Sequence, residues 1–192
     1  ARGIDHHPDI DILISGVGIA AAATCAATAL TSSSYGLVIS AGIAGGFPGR
    51  AEVGSLVLAD QIIAADLGAE SPEGFLSMEQ LGFGSNNIAV DLQVLKKLNT
   101  ALQRANLTAQ IGTIISVSTV TGTESTLKQL STRIPNALAE AMEGYGVAMA
   151  AKYHRVPVLE LRAISNLVGP RDRSQWRIED ALHTLEKASS AL

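Results

Sequence analysis

The stretch from Glu140 to Asn166, EAMEGYGVAMAAKYHRVPVLELRAISN, constrains the fold of this chain more than any other. Its first part is built from Gly, Ala and Val, a composition that lets a helix pack tightly against a sheet. Pro157 cannot continue that helix and disfavours helical geometry in Val156, so the spacing predicts a strand over Val158 to Ile164. The end of this strand carries a polar cluster, Arg162, Ser165 and Asn166. Ligands of open α/β sheets bind beyond the carboxyl ends of strands, which puts Asn166 where a ligand would sit. Arg162 points to one strand face beside Glu160. Met142 and Glu143 fall just before or at the start of the helix, which holds Glu143 near the core. A plainer account makes Glu143 a first-turn charge favoured by the helix dipole and Arg162 with Glu160 an ordinary same-face ion pair. At this point both readings stay open.

The remaining chain alternates in the same way. Ile10 to Ile14 reads as a strand feeding SGVGIAAAATCAATAL, a small-residue helix. Gly16, Gly18 and Ala21 match the degenerate dinucleotide pattern, but Tyr35 to Gly42 carries no acid at the end of the next strand. The Gly turn therefore reads as a close backbone approach to something small near a helix N-terminus. A second strand, Leu37 to Ser40, runs into AGIAGGFPG, a glycine-dense segment expected to be a loop close to a ligand or another chain. Ser55 to Ala65 is a third strand. The following DLGAESPEGFLSMEQLGFG shows no clear period and is expected to be a lid or specificity loop, or mobile, with Phe75, Leu76, Leu81 and Phe83 as its apolar underside. Val90 to Arg104 has helical leucine spacing, Thr113 to Val120 is a β-branched strand, and a polar helix covers Glu124 to Thr132. Ile178, Ala181, Leu182, Leu185 and Ala188 mark a closing helix, with Asp172 or Ser174 upstream as turn or cap residues and Trp176 as a packing anchor. The pattern is that of a three-layer α/β domain.

Composition excludes several classes. A length of 192 residues suits one domain, and with 47% apolar and 17% charged residues the core is large and a subunit interface is plausible. The net charge of −4 argues against a nucleic-acid footprint. Cys25 is the single cysteine, which fits a reducing cytoplasm. The apolar run from Val17 to Leu30 is broken by threonines and too short for a bilayer, so no membrane partner is expected. His6 and His7 are adjacent, not at a metal-ligand spacing, and no metal is expected.

The segments SGVGIAAAA, SAGIAGG followed by VGSLVLAD, then AEAMEG and VPVLELRAISN, in that order, resemble the nucleoside phosphorylase and nucleosidase superfamily from about Leu13 to the C-terminus. DLGAESPEGFLSMEQLGFG, STVTGT and ISNLVGPRDRSQWRI are most similar to its futalosine-cleaving members. The resemblance implies a three-layer αβα sandwich with a central, mostly mixed sheet. It also implies hydrolysis of the N-glycosidic bond of futalosine, releasing hypoxanthine and dehypoxanthine futalosine in menaquinone biosynthesis. Glu143 holds the family's place for a carboxylate that binds the ribose hydroxyls, with Met142 packed on the sugar. Arg162 resembles a residue that seats the attacking water. Asn166 stands where adenine-cleaving relatives place an aspartic acid. An amide offers one acceptor and one donor: its oxygen can hold a proton arriving on N7 while its nitrogen donates to O6 of a 6-oxopurine. Ile43, Ala44 and Gly45 border the implied pocket, Thr121 and Gly122 line the base, and Phe83 is a further substrate contact. Phosphorylases of this superfamily carry an arginine and a hydroxyl where this chain has Ser40 and Ile43, so water is the implied nucleophile.

The resemblance implies no metal or organic cofactor, and a homodimer or higher homo-oligomer. Family members begin with a strand ending near a water-orienting glutamate. The sequence starts past that point, so the expectation is a single nucleosidase-like domain over 1–192 without that strand. Asp66 and Glu70 match that glutamate only in composition. A methylthioadenosine/adenosylhomocysteine nucleosidase and a catalytically impaired nucleoside-binding subunit are the alternatives.

Overall fold

The computed structural model describes residues 9–191. In chain order the elements are α1 (Ile19–Ser32), β1 (Val38–Gly46), β2 (Leu56–Ala64), β3 (Gly68–Ser71), β4 (Gly74–Ser77), β5 (Asn87–Ala89), α2 (Leu92–Arg104), β6 (Ala109–Ser116), α3 (Glu124–Arg133), β7 (Ala137–Ala141), α4 (Gly144–His154), β8 (Val158–Leu167) and α5 (Ile178–Ser189). The main sheet runs β5-β2-β6-β7-β1-β8. It is mixed: β1–β8, β2–β6 and β6–β7 are parallel, while β1–β7 and β2–β5 are antiparallel. Leu56 to Leu58 of β2 also pair antiparallel with Leu161 to Ala163 of β8, so β2, β6, β7, β1 and β8 close into a ring. This is the α/β fold with a central mixed sheet that the sequence implies.

Pro157 acts as expected. Arg155 ends α4 in the left-handed region at φ 58°, and its N–H and that of Val156 bond back to Ala151. The chain then re-enters the sheet as β8, whose first eight residues are all buried. Leu159, Leu161 and Ile164 fill the core with Leu58, Ile62, Leu102 and Ile114, each such burial contributing roughly 1.5–3 kcal/mol. Both α4 and α5 lie against β8 and β1, and α1 lies on α4. The α1–α4 approach is close because Gly146 has no side chain: a Cβ there would run into the backbone of Ile19 and Ala23.

Several expectations are corrected. Ile10 to Ile14 is not a strand, because no neighbouring strand among the described residues takes its backbone hydrogen bonds, and Leu13 and Ile14 are 53% and 95% exposed. The glycine-dense segment after Ser40 is not a loop: β1 continues through it to Gly46. The stretch after Asp66 is largely ordered, with β3 and β4 forming a hairpin and β5 joining the edge of the main sheet. The β-branched strand ends at Ser116, where the chain turns outward before α3. β7 lies in an Ala-rich segment with no strand signature.

Candidate active site

Arg162 is the hub. Its side chain is 3% exposed on β8, and every guanidinium nitrogen has a partner. Nε donates to Glu160 Oε1 at 2.8 Å, Nη1 to Glu143 Oε2 at 3.2 Å and to the Ile43 carbonyl at 3.4 Å, and Nη2 to Ser40 Oγ at 3.2 Å. The β1–β8 register makes this possible, pairing Ser40 with Glu160 and Gly42 with Arg162. A Cβ on Gly42 would overlap the guanidinium, so the glycine clears the path of the arginine. The same-face ion pair of Glu160 and Arg162 thus exists, and it is buried.

Glu143 sits at the N-cap position of α4 without capping it. Its carboxylate instead turns toward Arg162, and it accepts from the backbone N–H of Met142 at 3.2 Å and of Gly18 at 3.3 Å. Gly18 is the N-cap of α1, at φ 95°. The close approach expected of the Gly turn is therefore made to a carboxylate of this chain. Glu143 remains 19% exposed, whereas Glu160, the other acid on Arg162, has no exposed surface. Burial raises the Glu160 carboxyl above the ordinary range, while Arg162 pulls it down.

Three residues further along β1 from Gly42, Gly45 pairs with Asn166 on one side and with Glu140 on the other. Asn166 is half-buried; its Oδ1 accepts from Ser165 Oγ at 2.9 Å and its Nδ2 donates to the Leu167 carbonyl at 2.9 Å. Ser165 Oγ also lies 3.3 Å from the Ala44 carbonyl. A Cβ on Gly45 would crowd Val168 and Asn166, which explains a second glycine in β1. Across the row, the Glu140 carboxylate binds Thr121 twice, through its N–H at 2.8 Å and its Oγ1 at 2.5 Å. Burial raises the Glu140 carboxyl, against the lowering effect of the Thr121 hydrogen bonds. Glu140 anchors the segment carrying Thr121 and Gly122 and was not singled out from the sequence. The available signal was an acid inside the small, apolar run ALAEA.

The structure thus brings together Glu143, Met142, Arg162 and Ile43, and beside them Ala44, Gly45, Asn166 and, through Glu140, Thr121. Gly122 lies near the Arg171 side chain. Phe83 is 74% exposed on the connector between β4 and β5. Asp66 is engaged elsewhere, its Oδ2 accepting from the Ser118 N–H at 2.6 Å, and Glu70 lies in the β3–β4 hairpin. Trp176 is flanked by the Arg171 and Arg173 guanidinium groups, 5.1 and 5.7 Å from its ring centre. Asp172 caps the short turn before it. His6 and His7 lie outside the described residues.

Residues 5–192 match the family model of the phosphorylase superfamily. The chain is 52% identical to a futalosine hydrolase of Streptomyces coelicolor, over 95% of this chain and 77% of that protein. It is 49% identical to a futalosine hydrolase of Acidothermus cellulolyticus, over 100% of this chain and 78% of that one. In fold it is similar to the 5'-methylthioadenosine/S-adenosylhomocysteine nucleosidase of Neisseria meningitidis in complex with methylthio-immucillin-A, at a TM-score of 0.82 and 19% identity, covering 93% of this chain and 78% of that structure. With its sheet and polar cluster in place, and with relatives this near over nearly its whole length, the chain belongs to the phosphorylase superfamily and, within it, to the futalosine hydrolase family.

Proposed function

We propose that this chain hydrolyses the N-glycosidic bond of futalosine, releasing hypoxanthine and dehypoxanthine futalosine in menaquinone biosynthesis. The observation that carries this reading is the Arg162–Glu143 pair, whose arginine lies on the same strand as Asn166, four residues before it along β8, in a chain 52% identical to a futalosine hydrolase. Breaking the bond builds positive charge on the sugar and negative charge on the departing base. Glu143, the partly exposed acid of the cluster, accepts hydrogen bonds from the ribose hydroxyls and stabilises the cationic sugar, with Met142 packed on it. Arg162 seats the attacking water. Asn166 turns its amide from the Leu167 carbonyl to the base, its oxygen holding the proton that arrives on N7 as the base departs and its nitrogen donating to O6. Adenine would set a donor against that nitrogen, a mismatch costing about 1–3 kcal/mol when buried. Ile43, Ala44 and Gly45 form the wall behind the sugar and base, Thr121 and Gly122 the base side, and Phe83 a substrate contact from the exposed connector.

Water rather than phosphate is the nucleophile. Ser40, where phosphorylases of the superfamily carry an arginine, accepts a hydrogen bond from Arg162, and Ile43 offers no hydroxyl. The enzyme works as a homodimer or higher homo-oligomer in the cytoplasm, a compartment that suits its single cysteine. The test is release of free base from futalosine, inosine and methylthioadenosine, each with and without phosphate. Hypoxanthine from futalosine, at a rate indifferent to phosphate, is the expected result. Adenine from methylthioadenosine as the main product would replace this reading with the adenine nucleosidase. Binding of futalosine without release would leave a nucleoside-binding subunit.

A further inference from the structure

Glu160 is an acid with no exposed surface on the strand that carries the site. Oε1 is 2.8 Å from Arg162 Nε, and Oε2 has no hydrogen-bond partner among the described residues. A Cβ on Gly144 would overlap the carboxylate, so the first residue of α4 is a glycine that leaves it room. Nothing in the packing calls for an acid here. Replacing a buried ion pair by apolar residues is often neutral or stabilising, and a fully buried carboxylate is costly unless paired. Its presence therefore points to the site in front of it. Arg162 also contacts Glu143, and a guanidinium that is always charged would, on its own, cancel the charge of that carboxylate. A neutralised Glu143 would do little for a cationic sugar.

We propose that Glu160 is a positioning residue that holds and charge-balances Arg162 from behind, so that Glu143 keeps its negative charge for the sugar. This rests on the N-glycosidic reading above. The geometry divides the guanidinium between two acids: Nε faces the buried Glu160, and Nη1 faces Glu143, which alone meets solvent. Ser40 and the Ile43 carbonyl take further N–H groups, so Arg162 cannot swing away. With one cation between two acids the cluster retains negative character on its solvent side, where the positive charge develops.

The test compares Glu160→Gln and Glu160→Met with the unaltered chain. It measures equilibrium binding of a cationic iminoribitol analogue of the nucleoside and of uncharged inosine, together with kcat and KM for futalosine. Gln keeps the shape and an acceptor for Nε, so a purely structural role would survive in it. The expected result is a loss of about tenfold to a hundredfold in affinity for the cationic analogue and in kcat. Inosine affinity and KM are expected to stay within about threefold. Met, of similar length and without charge, is expected to behave alike and serves if Gln does not fold. Cation affinity and kcat unchanged, both ligands weakened together, or failure of both variants to fold would each overturn the proposal. If the unaltered chain releases no base from futalosine, the functional reading fails instead, and the two binding measurements still decide the role of Glu160.

Discussion

Gly146→Ala tests whether the α1–α4 contact supports the site. An alanine in a helix interior is ordinarily about 1 kcal/mol better than glycine. At Gly146 the new methyl would meet the Ile19 carbonyl and the Ala23 amide of the facing helix, main-chain atoms that no rotamer change can move. Overpacking of this kind costs about 1–3 kcal/mol, and rigid backbone places it at the upper end. The net expectation is a loss of about 2 kcal/mol, or about 4–8 °C in Tm for a chain of this size. The assay is urea and thermal unfolding, with Gly36→Ala as control, since nothing lies within 4 Å of a Cβ there. The control is expected to stay within about 0.5 kcal/mol or gain slightly. Pushing α1 outward also withdraws the Gly18 N–H from Glu143, already at 3.3 Å, so kcat is expected to fall about tenfold. Stability of Gly146→Ala at or above the unaltered chain would refute the argument that small residues set this helix separation.

Three further outcomes are expected. Asn166→Asp should shift kcat/KM toward adenine nucleosides relative to 6-oxopurine nucleosides by about tenfold, read as free base by chromatography; an unchanged preference would remove the argument from the amide. Glu143→Gln should lower kcat by about 10²–10³ with little change in unfolding midpoint, because the role proposed for its carboxylate is on the sugar and Gln keeps an acceptor for Arg162, Met142 and Gly18. For Glu140, burial raises the folded carboxyl above its ordinary 4.5, so the native state keeps a proton that the unfolded chain has released. Its contribution to stability is full below that value and is lost as pH rises from 4.5 through the raised folded value. Urea midpoints measured across that rise should shift steadily in favour of Glu140→Gln relative to the unaltered chain, and a pH-independent difference would count against the buried carboxyl.

The α4–β8 unit was legible in the sequence because proline chemistry and small-residue composition are local. What failed was nonlocal. The glycines of β1 look like a loop by propensity, yet they are strand residues selected by what crosses them: Arg162 at Gly42, Asn166 and Val168 at Gly45, Ile164 and the Ala51 carbonyl at Gly46. β7 reads as Ala-rich, with helix formers in a strand held on both sides by β1 and β6. Ile10 to Ile14 has strand composition but no partner strand among the described residues, and composition cannot supply one. The site divides in the same way. Glu143, Arg162 and Asn166 stood out because polar groups at a strand end and helix start carry a signal of their own. Glu140 reaches Thr121, and Ser40 reaches Arg162, only through sheet register, which no window of sequence displays.

The register also bears on why the site favours water. Arg162 is the cation of the cluster, and each of its nitrogens is engaged with an acid, a hydroxyl or a carbonyl of this chain. A phosphate dianion would have to displace one of those partners while approaching Glu143 and Glu160, two carboxylates within one guanidinium's reach. Bidentate phosphate recognition needs a free guanidinium fork, and here the fork is closed. Water brings no charge and needs one acceptor or donor, which the exposed face of Glu143 and the held edge of Arg162 can provide. The arrangement that is poor for an anion is the one that would suit the cationic sugar of the proposed reaction. In the proposed reaction, nucleophile choice and transition-state stabilisation would both follow from the same disposition of two acids around one buried arginine.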